Sequence, residues 1–264
     1  MSVDMEDLGG TWGEMPRVTP SVTSSTRSVT PTRRSRASKE VYAKQSTVAA
    51  DRSVARKDGM VPGVQTVFMK TQGCAHNVSD GEYMAGLLTA HGYTITDVWD
   101  ENVDVFLFNS CTVKGPSQDS FLNMLAKAKS SGAAVVAAGC VPQGDPDRKD
   151  LQDVSIVGAR QIHRVVEVVE EAAKGNTVRL LGQRVRPALD LPKIRRNALV
   201  EIVPISMGCL NHCTYCKTKH ARGDLVSYLP DAITGRVREV INEVDPLSPF
   251  AFAGSALFPC DGCC

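Results

Sequence analysis

The sequence carries almost no excess charge of either sign. Lys and Arg number 30 against 29 Asp and Glu, so net charge gives no sign of a polyanionic partner. Contact with nucleic acid would have to come from local patches. Long hydrophobic runs are also missing: no stretch approaches the roughly 18 consecutive apolar residues that a membrane span needs. The N-terminal region lacks the apolar core of a secretory signal. A reducing compartment is therefore expected, with the cytoplasm as the location, and cysteines there serve metal binding or catalysis rather than disulfides.

Cysteine is what the sequence does have, nine in 264 residues. Cys74, Cys111 and Cys140 stand far apart, Cys209, Cys213 and Cys216 crowd together, and Cys260, Cys263 and Cys264 lie at the end. The length suits one or two domains, and the apolar share of 42% is ordinary for a soluble chain.

Residues 1–63 are rich in Ser, Thr, Arg and Pro without apolar periodicity, which is the composition of a disordered tail. Between Met15 and Ala50, Arg17, Arg27, Arg33, Arg34, Arg36, Lys39 and Lys44 face Glu40 alone. A transit peptide and an RNA-attracting arm are the competing readings of this basic stretch. The early acids Asp4, Glu6, Asp7 and Glu14 argue against the transit peptide.

Order is expected from Val64. Thr66 to Lys70 reads as a strand, and Ser79 with Glu82 reads as a capping box starting a helix that Gly92 stops. Thr94 to Val98 and Val105 to Asn109 read as strands, and Ser117 to Ser130 has helical spacing. Ala133 to Ala138 and Val154 to Val157 read as buried strands, and Ile162 to Lys174 as a helix. Strands alternating with helices predict an α/β domain over residues 64–182, a doubly wound parallel sheet. Residues 183–198, with Pro187 and Pro192, read as a basic linker. Leu199 to Ser206 then reads as a strand opening a second unit, and Asp231 to Glu243 as its helix. Residues 244–264 show neither period nor turn grammar.

Cys74, Cys111 and Cys140 each follow a predicted strand, so all three belong at the carboxyl edge of the sheet, where such folds place ligands. Singly, each reads as an ordinary buried cysteine. Three at equivalent strand ends favour an iron–sulfur cluster with one iron open, and zinc is the other metal option. Cys209, Cys213 and Cys216 form C-x3-C-x2-C. A tight loop after a strand can wrap three thiolates round a 4Fe–4S cluster, leaving the fourth iron to chelate S-adenosylmethionine. The chemistry is then reductive cleavage to a 5′-deoxyadenosyl radical. Tyr215, before the last cysteine, stands at the usual aromatic position of such a motif and is expected to pack near the adenine. A zinc knuckle using His212 or His220 is the alternative. His76, His91 and His163 have no motif around them and read as surface or core residues.

Taken in order, these motifs resemble the methylthiotransferase branch of the radical S-adenosylmethionine enzymes. Thr71-Gln-Gly-Cys74 with Asn77, Asn109-Ser-Cys-Thr-Val113 and Ala138-Gly-Cys-Val-Pro-Gln143 are similar to its three N-terminal signatures. Gly208 to Gly223, GCLNHCTYCKTKHARG, is similar to its radical motif. SDGEYMAG from Ser79, VVEVVEEAAKG from Val165 and VRLLGQ from Val178 resemble the eukaryotic and archaeal subgroup that modifies threonylcarbamoyladenosine in tRNA.

The resemblance implies two 4Fe–4S clusters, an auxiliary one on Cys74, Cys111 and Cys140 and a radical-generating one on Cys209, Cys213 and Cys216. It implies S-adenosylmethionine as co-substrate, lysine-decoding tRNA as substrate, and an electron donor and a sulfur donor as partners. The implied product is the 2-methylthio derivative of N6-threonylcarbamoyladenosine. Full-length animal relatives can add a membrane anchor, which would associate them with the endoplasmic reticulum.

Family members continue past the Glu243 helix with the rest of a TIM-like barrel and an RNA-binding β-barrel. Here only the first β/α unit, 199–243, is expected, against roughly 200 or more residues for a complete barrel. Residues 244–264 read as an aberrant tail, and Cys260, Cys263 and Cys264 are not expected to be ligands. A non-catalytic iron–sulfur or zinc-binding fragment is thus the alternative to an enzyme. Isopentenyladenosine tRNA or a ribosomal protein aspartate would be alternative substrates, and the subgroup motifs argue against both.

Overall fold

Short runs of Val, Phe, Leu and Ala, each closed by a polar residue or glycine, become the strands of one parallel sheet. The computed structural model describes residues 61–100, 102–112 and 115–243, together with the backbone of Ala251–Ser255. The predicted tail up to Met60 and the last three cysteines lie outside the described residues.

The strands are β1 (Thr66–Thr71), β2 (Thr94–Thr96), β3 (Val105–Ser110), β4 (Ala134–Gly139), β5 (Ser155–Gly158) and β6 (Arg179–Leu180). They pair in the order β2-β1-β3-β4-β5-β6, every pair parallel. Parallel neighbours need crossovers, and the intervening helices supply them: α1 (Ala75–Ala90), α2 (Gly115–Ser130), α3 (Cys140–Gly144) and α4 (Val165–Ala173).

Helices lie on both faces, which is why β3 is buried along its whole length. On one face Met84 and Leu88 of α1 and Val165, Val168 and Val169 of α4 pack on Val67, Val105 and Leu107. On the other, Phe121 and Leu125 of α2 meet Phe68, Phe106 and Phe108. Trp99 completes that layer, its ring 4.7 Å from Phe106 and 5.3 Å from Phe68. The doubly wound parallel sheet expected from the alternating pattern is the observed fold.

One helix boundary needs correction. The expected capping box at Ser79 and Glu82 does not form, because α1 already begins at Ala75 with Cys74 as its N-cap. Ser79, Asp80 and Glu82 are buried one turn inside it. Their polarity serves a different purpose: they face the chain that follows the sheet.

That chain runs without regular structure from Gly182 to Leu199 and is seated against α1. Ile194 N–H donates to Glu82 O (3.0 Å), and Arg196 N–H donates to Glu82 Oε1 (2.8 Å). Tyr83 Oη donates to Leu189 O at 3.2 Å. Gly86 lets the Pro192 backbone approach, since a Cβ there would stand 2.2 Å from Pro192 O. Lys193 is fully buried, 2.9 Å from Glu201 Oε1 and 3.2 Å from Glu82 Oε2. Glu201 is also met by Arg195 and Arg236, each at 3.5 Å.

Glu201 belongs to β7 (Val200–Pro204), which opens the second unit. β8 (Ser206–Met207) pairs antiparallel with β9 (Val226–Ser227) around α5 (Lys217–Arg222), and α6 (Pro230–Glu243) follows. β10 (Ala251–Ser255) then pairs parallel with β7, Ala251 opposite Val200 and Ser255 opposite Pro204. The reading of 244–264 as a tail without any element is therefore corrected for Ala251–Ser255, which gives the second unit a β-α-β order. The run AFAGS is too short and too rich in small residues to stand out as a strand by period alone.

Burying an acid without its counter-charge is expensive, so the ionic contacts of this irregular segment, a strap from Gly182 to Leu199, can be tested directly. Lys193→Ala leaves Glu82 and Glu201 facing each other in the interior and should lower stability by about 3–5 kcal/mol. Urea unfolding followed by circular dichroism measures this as a lower midpoint.

Candidate functional site

β1, β3 and β4 are neighbours in the sheet, and the chain order reverses between β1 and β3. Crevices at such switch points are where open α/β sheets hold ligands. Cys74 follows β1 by three residues, Cys111 directly follows β3, and Cys140 directly follows β4. Cys74 is exposed, whereas Cys111 and Cys140 are buried.

The three strand-end loops lean on one another. Gly73 has φ +114°, and a Cβ there would stand 2.5 Å from Cys111 Cβ and 3.0 Å from its Sγ. Gly139 has φ +89°, and a Cβ there would stand 2.5 Å from Ser110 O. Both positions need glycine for backbone conformation and for room. Asn77, fully buried in the first turn of α1, ties the loops together. Its Nδ2 donates to Gln72 O (2.9 Å) and Ser110 O (2.7 Å), and its Oδ1 accepts from the Cys140 thiol at 3.5 Å.

A guanidinium from the second unit closes the group. α3 packs against α5, and Arg222 at the end of α5 is buried among first-domain groups. It lies 2.6 Å from Asp80 Oδ2, donates through Nη2 to Asn77 Oδ1 at 2.5 Å, and through Nε to Cys140 Sγ at 3.3 Å. Burial works against its charge, but Asp80 and then Cys140 hold the guanidinium protonated beyond its ordinary range. Burial pushes the Cys140 thiol up, and Arg222 opposes that rise. The Asp80 carboxyl is likewise pushed up by burial against the pull of Arg222.

Arg160, just past β5, fixes the backbone of this segment. It donates through Nε (3.1 Å) and Nη2 (2.9 Å) to Arg222 O, and through Nη1 to Gln183 O at 2.8 Å. Arg160 escaped the sequence reading, and Asp80 and Arg222 entered it only as parts of motifs. Gln183 apart, their partners lie 62 to 145 residues away, and no local pattern encodes such pairs.

Cys209, Cys213 and Cys216 occupy the loop between β8 and α5, each half-buried and each a free thiol. Cys209 N–H donates to Gly223 O at 3.1 Å, Lys219 Nζ donates to Cys209 O at 2.9 Å, and Cys216 N–H donates to Cys213 O at 3.1 Å. Cys216 is the N-cap of α5. Tyr215 is 69% exposed.

Among the described residues no three His, Cys, Asp or Glu side chains are gathered closely enough to hold one metal ion. His212 and His220, the alternative zinc partners, are thus not assembled with the cysteines into such a site. His76 is a core residue whose neutral form persists down to about 4, through burial and then the charge of Arg222. The ring of His91 pairs through Nδ1 with Leu87 O at 3.1 Å, and burial, then Arg164, lowers the pKa of His163. What the residues offer is two sets of free thiols, one lined by a buried cation and a buried amide. That donor set fits an anionic, thiolate-held group larger than a single ion.

Comparison with known proteins matches residues 66–157 to the family described as "Uncharacterized protein family UPF0004". A threonylcarbamoyladenosine tRNA methylthiotransferase of Drosophila pseudoobscura pseudoobscura is 51% identical over 218 residues, covering 79% of this chain and 39% of the relative. One from Danio rerio is 54% identical over 193 residues, covering 70% of this chain and 35% of the relative. The chain belongs to the methylthiotransferase family of these relatives. A probable threonylcarbamoyladenosine tRNA methylthiotransferase of Pyrococcus abyssi extends the likeness to the archaea, at 37% identity over 180 residues, 67% of this chain and 42% of the relative. The chain spans well under half the length of the curated relatives it matches. Among its described residues no helix is long and apolar enough to cross a membrane.

Burial of Cys111 and Cys140 makes a chemical prediction. In the metal-free folded chain, iodoacetamide should alkylate Cys74 well before Cys111 and Cys140. Asn77→Ala strands buried partners at a cost of about 1–3 kcal/mol. Modification of Cys111 and Cys140 should then quicken roughly tenfold to a hundredfold. Peptide mass spectrometry over a time course reads both rates.

Proposed function

We propose that this chain carries the two cluster-binding sets of a tRNA methylthiotransferase, with Cys74, Cys111 and Cys140 holding an auxiliary 4Fe–4S cluster and Cys209, Cys213 and Cys216 holding a radical-generating one. The observation that carries this is the packing of α3 on α5. The short helix that follows the second set puts Arg222 onto Cys140 of the first, so a buried side chain joins the two sets. The relatives are tRNA methylthiotransferases by name, and the reaction proposed is transfer of a methylthio group to N6-threonylcarbamoyladenosine in tRNA, by the complete family protein.

When bound, the clusters supply reductive cleavage of S-adenosylmethionine and a site for sulfur. The chain's own residues bind and exclude. Asn77 and Arg222 fix the Cys140 loop, Lys219 and the Gly223 carbonyl fix the Cys209 loop, and Tyr215 is available to cover the adenine. The contact of α3 with α5 closes the inner side of the first set to water, which a radical reaction requires.

Barrel chemistry needs more strands than are seen here. The described part of the second unit pairs two parallel strands, β7 and β10, whereas a full barrel has about eight. Residues 1–264 alone should bind both clusters without turning over tRNA.

Anaerobic reconstitution with iron and sulfide tests the reading. The chain should take up about eight irons. Cys209→Ala, Cys213→Ala and Cys216→Ala together should remove about half, and the matching triple at Cys74, Cys111 and Cys140 the other half. Stoichiometric zinc with no iron-dependent absorption would overturn the assignment in favour of zinc.

Activity is followed by mass spectrometry of digested lysine tRNA after incubation with S-adenosylmethionine, a reductant and a sulfur source. A version extended with the family's remaining length should form the methylthio nucleoside, and residues 1–264 should not.

A further inference from the structure

We infer that Arg222 is a positioning residue that grips the Cys140 sulfur and raises the reduction potential of the cluster on Cys74, Cys111 and Cys140. The inference rests on the cluster assignment proposed above and adds a role for a side chain that is not a ligand. Arg222 reaches three first-domain groups: the Asp80 carboxylate, the Asn77 amide oxygen and the Cys140 sulfur.

A purely structural tie between the units would not need such a residue. Burying a guanidinium is costly, and a well-packed apolar contact serves stability as well or better. Its third partner is the informative one. A neutral thiol is a weak acceptor, whereas a metal-bound thiolate is an anionic one that suits a guanidinium N–H. The Nε–Sγ distance of 3.3 Å is that of a donor already aimed at this sulfur. Arg160 holds the backbone carbonyl of Arg222 with two N–H groups, so the aim does not depend on the flexible stem alone.

The electrostatic consequence has a definite sign. Reduction adds one electron to a cluster, and a nearby cation with a hydrogen bond to ligand sulfur stabilises that extra negative charge. Removing the cation must make reduction harder. The same helix joins the two sites mechanically: Cys216 caps its start and Arg222 is its last residue, a rise of about 9 Å at 1.5 Å per residue.

The test uses the full chain carrying Cys209→Ala, Cys213→Ala and Cys216→Ala, so that only the first set can hold iron. Iron and sulfide are quantified first. The midpoint is then measured by dithionite titration monitored by electron paramagnetic resonance, before and after Arg222→Gln and Arg222→Lys. The expected result is an unchanged iron content with a midpoint shifted to more negative potential in Arg222→Gln. Arg222→Lys, which keeps the charge and loses the fork, should shift the same way by less. Should Arg222→Gln fail to fold, the shift in Arg222→Lys decides alone.

An unshifted midpoint in a folded, fully loaded variant overturns the role of Arg222 and leaves the cluster assignment standing. Failure of the parent triple variant to take up any iron overturns the assignment itself, and the role of Arg222 with it.

Discussion

Two buried cations placed against one helix are the constraint on which the rest of this structure depends. Lys193 meets Glu82, and Arg222 meets Asp80, so the same turn of α1 neutralises both. Asp80 could not be apolar without stranding the charge of Arg222, and neither cation could be removed without stranding an acid. α1 is consequently buried along most of its length. One side rests on the sheet through Met84 and Leu88, and the other receives the strap and the end of α5. The strap, β7 and the cysteine loop of the second unit all take their places from that side.

This constraint explains what the sequence made legible and what it hid. The strands of the sheet were readable because β3 and β4 are continuous apolar runs, and Gly92 ended α1 where a positive φ is needed (+97°). The start of α1 was misplaced because Ser79, Asp80 and Glu82 look like the polar first turn of a helix. They are polar because they are an interface, and periodicity cannot distinguish a solvated charge from one with a distant buried partner. The basic residues of the strap invited the same error. Lys193 and Arg195 read as linker charge, yet Lys193 is fully buried and both reach Glu201.

At the site, the positions of the cysteines after β1, β3 and β4 were legible, since strand ends and thiols are both visible in the chain. The C-x3-C-x2-C spacing of the second set was visible in the chain, and the structure puts these cysteines in the loop between β8 and α5. Arg222 and Arg160 were not, because their roles come from docking of α5 on α3. β10 was missed for another reason: Ala251–Ser255 gains its identity from pairing with β7, and its own residues carry little strand signal.

The span between Asn77 and Arg222 also sets a clock. These hydrogen-bonded partners are 145 residues apart. At about 5–20 residues per second during synthesis, roughly 7–29 s separate their appearance. Through that interval Asp80 has no Arg222 to meet, and the Cys140 loop lacks the same contact. The first domain therefore passes through a stage in which its future interior is surface, and that stage ends only when the last turn of α5 is made.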